Sequence, residues 1–230
     1  MKRSTQEVLA RIPDFKGLGS EALAELAGVA RIVNHSPGQT VVLQGDGGDS
    51  LFAIDSGYLK VSVIGRGGTL STLGVMGPGE VFGEMSLLDG GPRSATVTSL
   101  TRACLVAIDR APFRLLVAGA SPLAAAMLDL LARRLRVLTE RSDDLTVLSV
   151  GARLAKQVLL LARLHGTTVG PRQLRIGVKL SQKELGEMVG ATRESVNKHL
   201  KIWQEENVLR QEGGFLVILN LPLLQSMSRR

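Results

Sequence analysis

Between Gly38 and Asp109 the chain is interrupted by Gly, Asp or Ser every few residues. The pieces between are short and rich in β-branched and aromatic side chains, as in "TVVLQGDGGDSLFAIDSGYLKVSVIGRGGTLSTLGVMGPGEVFGE". Such pieces are strand-length, and evenly spaced short strands with turn signals close into a sandwich or barrel-like roll. The same style resumes after Arg93 in "SATVTSLTRACLVAID". Ahead of the roll, residues 4–12 and 20–33 carry helical spacing, with Ser20 read as an N-cap and Leu23, Leu26 and Ala27 on one face.

Behind the roll the pattern is the opposite. Ser121-Pro122 supplies an N-cap and a proline at the first helical position, and nothing breaks the helix before about Leu148. At about 1.5 Å per residue it is roughly 40 Å long. Leu128, Leu131, Leu135, Leu138, Ser142 and Leu145 recur at spacings of three and four, a coiled-coil seam flanked by Arg133, Arg134, Arg136 and Arg141. A seam this regular predicts dimerisation rather than a helix lying only on its own domain, with Ser142 as its weak point. Ser149 then caps a further helix to about Leu164, followed by "TTVGPRQLRIGV", read as a loop with one short strand.

Charge divides the chain. Residues 1–149 hold 15 Lys+Arg and 15 Asp+Glu, so the whole formal +7 resides in residues 150–230. A neutral front and a basic final third predict a sensor joined to a polyanion-binding domain. Cys104 is the only cysteine, which excludes an intramolecular disulfide, a Cys-rich zinc site and a cysteine-ligated iron–sulfur cluster. His35 is the only histidine before residue 165, so the roll lacks the clustered ligands of a metalloenzyme, and no metal site is expected. There is no apolar run of 18 residues and no signal-peptide h-region, so a cytoplasmic location away from membranes is expected.

Within the basic third, Ser181-Gln-Lys-Glu184 forms a capping box opening a short helix whose buried side is Leu185 and Met188–Val189. Gly190 ends it, and Thr192 caps a second helix carrying Val196, Leu200, Ile202 and Trp203 inward. Two short helices joined by a glycine-bearing turn are a helix-turn-helix. Gly213-Gly214 between extended runs predicts a hairpin that serves as a wing. The outward face presents Arg193, Glu194, Asn197 and Lys198, types that suit base edges: Arg to guanine, Glu to cytosine N4, Lys to guanine or phosphate. Ser181, Gln182, Thr192 and Ser195 complete the DNA-facing candidates. His199 reads as a phosphate or structural contact, since no second metal ligand stands nearby.

One stretch of the roll departs from strand grammar. "GEMSLLDGGPRSATV", Gly83 to Val97, holds a carboxylate and a guanidinium on a glycine-bearing loop. Arg93 can neutralise a phosphate bidentately, Ser94 and backbone N–H groups can donate to it, and Glu84 can accept from a ribose hydroxyl. A Glu84–Arg93 salt bridge closing the loop is an equal alternative on these residues alone.

"FGEMSLLDGGPRSATV" resembles the phosphate-binding cassette of cyclic-nucleotide-binding domains. "GATRESVNKHL" resembles the recognition helix of bacterial regulators of the cyclic-AMP receptor protein (CRP/FNR) superfamily. With the long helix "LARRLRVLTE" the similarity covers essentially the whole chain in the family's order. The resemblance implies an α+β fold: a cyclic-nucleotide-binding β-roll over residues 1–120, a dimerisation helix over 121–148, and a winged helix-turn-helix over 149–230. It implies a homodimeric, non-enzymatic regulator that binds palindromic double-stranded DNA, works with RNA polymerase and responds to cyclic AMP or cyclic GMP. The alternative is a same-fold regulator that takes another ligand, such as cyclic di-GMP, or none. An oxygen sensor of this superfamily would need clustered N-terminal cysteines, and a cyclic-nucleotide-binding regulatory subunit would lack the C-terminal domain.

By the same resemblance Gly83 and Glu84 match the cassette's glycine and ribose-binding glutamate, and Arg93 and Ser94 its phosphate-binding pair. Met85, Ser86, Ala95 and Arg134 complete the ligand-binding set with Leu138 and Thr139. Cyclic-AMP-responsive members read the base with a threonine followed by a serine, whereas this chain has Leu138 and Thr139. Leu138 cannot hydrogen-bond a purine edge, and an inward Arg134 could favour guanine O6. At the DNA end Arg193 and Glu194 match base-reading residues, and Lys198 stands where the family usually has arginine.

Overall fold

The computed structural model describes residues 3–65, 67–118, 122–171 and 173–229. They form two compact units, Met1–Val137 and Leu138–Arg230. The N-cap reading of Ser121 lies outside the described residues.

In the first unit, helix α1 (Thr5–Leu9) is closed by a capping box between Ser4 and Glu7, and a 3₁₀ turn follows at Pro13–Phe15. Helix α2 (Ser20–Gly28) is shorter than its spacing predicted. Its N-cap is Gly19 without a side-chain hydrogen bond, not Ser20, and residues 30–33 are extended rather than helical. The β-branched Ile32 and Val33 there enter strand β1 (Ala30–His35), where tertiary pairing outweighs helical spacing. The roll continues through β2 (Thr40–Val42), β3 (Ser50–Ser56), β4 (Leu59–Ile64), β5 (Leu70–Met76) and β6 (Val81–Phe82). Helix α3 (Glu84–Asp89), β7 (Thr96–Ser99), β8 (Ala103–Asp109) and helix α4 (Arg110–Ala118) follow.

Two four-stranded sheets result, in the orders β1-β8-β3-β6 and β2-β7-β4-β5, antiparallel throughout. The first sheet is covered on both faces. Phe52, Ile54, Leu105 and Ala107 join Leu59, Phe82 and Val97 in the core of the roll. Alternating with them, Leu51, Ala53, Val106 and Ile108 pack with Leu9, Phe15, Leu26 and Phe113. A strand buried on both faces needs no polar alternation, which is why "ACLVAI" is almost continuously apolar.

Helix α5 (Pro122–Val147) starts in the first unit, where Leu123, Ala126, Met127 and Leu130 are buried against that second core. Leu128, Leu135, Leu138 and Leu145 are instead 69%, 66%, 61% and 56% exposed, so the seam predicted for a partner is uncovered in the single chain.

The second unit adds α6 (Val150–His165), β9 (Gly166–Gly170), β10 (Gln173–Ile176), α7 (Gln182–Val189) and α8 (Arg193–Glu205). Strands β11 (Leu209–Glu212) and β12 (Phe215–Ile218) and helix α9 (Leu221–Met227) complete it. The stretch 167–178, expected as a loop with one short strand, contributes to two paired strands, β9 and β10, of a sheet ordered β11-β12-β10-β9. Ser149 caps α6 as predicted, its hydroxyl accepting from the Ala152 N–H at 3.2 Å.

Candidate ligand-binding cassette and nucleic-acid interface

Between β6 and α3 the backbone at Gly83 is left-handed, with φ 86°. A Cβ there would lie 2.6 Å from Arg93 Nη1 and 2.8 Å from the Ser50 carbonyl oxygen, so glycine is required both by conformation and by space. The turn brings Arg93, 6% exposed, under the start of α3. Its Nη1 donates to the Gly83 carbonyl at 3.1 Å and its Nη2 to the Ser50 carbonyl at 2.8 Å. The guanidinium also sits 5.8 Å from the centre of the Phe52 ring, which stacks on Phe82. Burial lowers the Arg93 pKa, with Arg110 adding to that and Asp49 and Glu84 opposing it.

Glu84 is 1% exposed, and its carboxylate takes the guanidinium of Arg134 on α5. A second N–H of Arg134 donates to the Val81 carbonyl. The partner of Glu84 is therefore Arg134, not the Arg93 of the alternative salt-bridge reading. Glu84 Oε2 is buried without a hydrogen-bond partner. A buried carboxylate oxygen left this way is costly unless a donor arrives, and a ligand hydroxyl would be such a donor.

The rest of the cassette is built from short-range bonds. Ser86, buried, donates to the Pro92 carbonyl at 3.2 Å, and Asp89 accepts from the Gly91 N–H at 2.8 Å. Ser94 is exposed with its hydroxyl 3.8 Å from the Met85 sulfur, and Ala95 is half-buried. Leu138 and Thr139 belong to the second unit, and both are exposed on α5. Ser50, Phe52 and the glycines of "GDGGDS" were missed in the sequence, where that stretch reads only as a turn. A cavity of about 440 Å³ elsewhere in the first unit is lined by none of these residues.

In the second unit the capping box of Ser181 and Glu184 opens α7, and Gly190, at φ 65°, closes it. Thr192 caps α8 by accepting from the Ser195 N–H at 3.2 Å. Gly186 lets the helix pass close to the turn, since a Cβ there would be 2.6 Å from the Ala191 carbonyl oxygen. Val196, Leu200 and Trp203 are buried, but Ile202, expected inward, is 37% exposed. It lies two residues from Leu200 and so on another face of the helix. Arg193, Glu194, Asn197 and Lys198 are exposed together, with Gln182 Nε2 donating to Asn197 Oδ1 at 3.0 Å.

The His199 ring packs so closely on α6 that a Cβ at Gly151 would lie 2.9 Å from it, which favours its structural reading. Burial lowers its pKa, as does Lys198. Gly213 and Gly214, at φ 58° and 87°, turn the β11–β12 hairpin. Phe215 on that wing is stacked by Arg175 at 3.8 Å and faced by Lys179 at 5.0 Å, a basic cluster that sequence spacing did not reveal. Among the described residues there is no group of metal-ligating side chains, and no single helix is long and apolar enough to cross a membrane.

A roll with a glycine-turned, arginine-bearing cassette, joined to a capped helix-turn-helix with a basic wing, defines a sensor coupled to a DNA reader. Residues 32–119 match the cyclic nucleotide-binding domain family, and residues 152–227 the Crp-like helix-turn-helix domain family. A "CRP-like cAMP-activated global transcriptional regulator" of Mycobacterium tuberculosis is 36% identical over 223 residues, 97% of this chain and 99% of that protein. The crystal structure of the Thermus thermophilus catabolite activator protein is 30% identical, with a TM-score of 0.54 over 94% of this chain and 98% of that one. FixK2 from Bradyrhizobium japonicum shares the fold at 18% identity, with a TM-score of 0.76 over 88% of this chain and 98% of that one. The chain belongs to the CRP/FNR family, and it is a ligand-responsive, DNA-binding transcriptional regulator with a cyclic-nucleotide-binding domain.

Proposed function

We propose that the chain acts in the cytoplasm as a homodimer whose effector is cyclic AMP or cyclic GMP, and that effector binding controls its reading of a palindromic operator. The parts are a sensor over residues 1–120, a dimerisation helix over 121–148 and a DNA-binding domain over 149–230. The observation that carries the effector reading is the buried, unpartnered Glu84 Oε2 on the same short cassette as the buried Arg93. A ribose hydroxyl and a phosphodiester are the two groups these residues would satisfy together. The activation of the mycobacterial relative by cyclic AMP supports the same class of effector. Gly83, Met85, Ser86, Ser94 and Ala95 are the proposed surroundings of the phosphate. The protein works by binding, and no catalytic step is part of the proposal.

Arg193 and Glu194 are the proposed base readers, Asn197 and Lys198 flank them, and Ser181, Gln182, Thr192 and Ser195 meet the backbone. The exposed seam of α5 supports a dimer, which would present two recognition helices to half-sites about 34 Å apart. RNA polymerase is the further partner that the family resemblance brings.

Base preference is assigned to Leu138 and Thr139. A leucine leaves one polar edge atom of the purine without a protein partner, so cyclic AMP and cyclic GMP should bind within about tenfold of one another, or cyclic GMP should win. The test is calorimetric titration of wild type and Leu138→Thr with cyclic AMP, cyclic GMP and cyclic di-GMP. The variant should shift toward cyclic AMP. A wild-type preference for cyclic AMP of about a hundredfold would remove Leu138 from base selection. Binding of cyclic di-GMP alone would overturn the mononucleotide reading.

A further inference from the structure

We propose that Arg110 is a positioning residue for the effector phosphate: it clamps the loop before β3 onto the cassette helix α3 and thereby holds Arg93 in its binding pose. The proposal rests on the cyclic-nucleotide reading above and names a residue that reading does not use.

The loop from Gly45 to Ser50 follows Arg93 along its whole length. The Gly45 N–H donates to the Arg93 carbonyl at 2.9 Å, and the Arg93 N–H donates to the Asp46 carbonyl at 2.8 Å. Farther out, a Cβ at Gly48 would lie 2.9 Å from Arg93 Nε and 2.3 Å from the Ser86 Cβ, so loop and cassette touch with no room for a side chain. Where the loop enters β3, the Ser50 carbonyl accepts from Arg93 Nη2 at 2.8 Å. The cradle of the expected phosphate-binding arginine is thus a glycine-rich loop, tied to the cassette by one β-bridge between Gly47 and Pro92 before the chain enters β3 at Ser50.

Arg110 adds to that tie. It opens α4 directly after β8, so its backbone is anchored in the first sheet. Its Nη2 donates to the Gly48 carbonyl at 2.8 Å and also to the Ser86 carbonyl of α3. Its backbone N–H donates to the Asp49 carbonyl at 2.8 Å. One residue therefore ties the loop at two successive peptides and joins it to the cassette helix. The Asp49 carboxylate, 85% exposed, is 3.8 Å from Arg110 Nε, a surface pairing that neutralises Arg110 only weakly. Arg110 also stands close enough to Arg93 to disfavour the charge of that residue. Holding the loop before the ligand arrives removes an ordering cost from binding.

The test is titration of the full chain with cyclic AMP and with cyclic GMP, for wild type, Arg110→Ala and Arg110→Lys. Amide hydrogen exchange is followed in the ligand-free proteins. Arg110→Ala should weaken the better-bound nucleotide by tenfold or more and speed exchange at Gly45, Gly48 and Arg93. Amides of β3 and β8 should stay protected. Arg110→Lys, which keeps the charge and can reach a carbonyl, should recover part of the loss. An arginine with a merely structural role would lower the melting temperature and leave both the affinity of the folded protein and the loop exchange unchanged. That result, or Arg110→Ala binding within twofold of wild type, overturns the proposal. Should Arg110→Ala not fold, Arg110→Gln takes its place under the same criteria. If wild type binds neither nucleotide, the effector reading itself fails, an outcome distinct from wild type binding and the variants binding equally well.

Discussion

Arg93 and Glu84 do their local work through partners far away in the chain. Arg93 donates to the carbonyls of Gly83 and Ser50, so removing it takes away an anchor of the turn together with the charge proposed to meet the effector phosphate. Arg93→Ala should cost about 2–5 kcal/mol of effector binding, tens- to thousands-fold in affinity, as read by titration calorimetry. Unchanged affinity would leave Arg93 only its role in holding the turn. Glu80 offers a second test at this scale. Burial raises its pKa above the ordinary value against the opposing effect of the Gly77 N–H, its donor at 2.7 Å, and of Arg134. The folded chain then holds this proton more tightly than the unfolded chain. The ionised group costs stability above the raised value, and the cost disappears as pH falls through it toward the ordinary carboxylate range. Glu80→Gln should therefore melt higher than wild type at pH 7, with the gap closing on acidification. A pH-independent gap in the melting curves would show that Glu80 titrates as an unburied glutamate does. The sequence names Glu84 and Arg93, but Arg134 lies 50 residues from Glu84 and Ser50 lies 43 from Arg93, and no local pattern encodes such partners.

At the scale of elements the helix-turn-helix was the most legible part, because its information is local. A capping box, a glycine stop and a second cap each act within four residues, and all three stand where the spacing put them. The turn depends on two glycines for different reasons. Gly190 adopts φ 65°, where alanine costs about 1 kcal/mol. At Gly186 a Cβ would meet a backbone oxygen that cannot move aside, so Gly186→Ala should cost more, about 1–3 kcal/mol. Trp203 is the only tryptophan and is buried on α8, so its fluorescence during denaturation reads both variants within the second unit. Equal stability of Gly186→Ala and wild type would mean that α7 can shift away from the turn.

The same unit shows a tie that spacing could not reveal. Arg153 donates to the Leu148 carbonyl at 2.7 Å and to the Val189 carbonyl at 2.8 Å, joining the ends of α5 and α7. On the exposed face of α8, Arg193→Ala should cost about 1–3 kcal/mol and relax one position of the half-site, measured against a panel of operator variants. Uniform weakening across the panel would assign Arg193 to phosphate instead.

For the whole molecule, the exposed leucines of α5 are the feature that a single chain does not explain. One stripe of the helix, at Leu123, Met127 and Leu130, is buried in the core of the first unit. The other stripe, at Leu128, Leu135, Leu138 and Leu145, faces solvent. Knobs-into-holes packing with a second copy is the arrangement that a three–four repeat specifies. Leu135→Asp combined with Leu145→Asp should turn a dimer into a monomer in sedimentation velocity and abolish operator binding while leaving each unit folded. A double variant that still sediments as a dimer would place the interface off this helix.

Periodicity and local chemistry were sufficient in the sequence for the roll, the long helix, the helix-turn-helix and the basic character of the final third, because these depend on neighbours a few residues apart. Tertiary structure alone decided that residues 30–33 become a strand, since pairing with β8 outweighs their helical spacing. It alone made Arg134 rather than Arg93 the partner of Glu84, and brought Arg110 onto the loop that cradles Arg93. Those are choices among charged and polar groups of similar chemistry. What selects between them is the distance set by the packed sheets, and sequence spacing does not carry that distance.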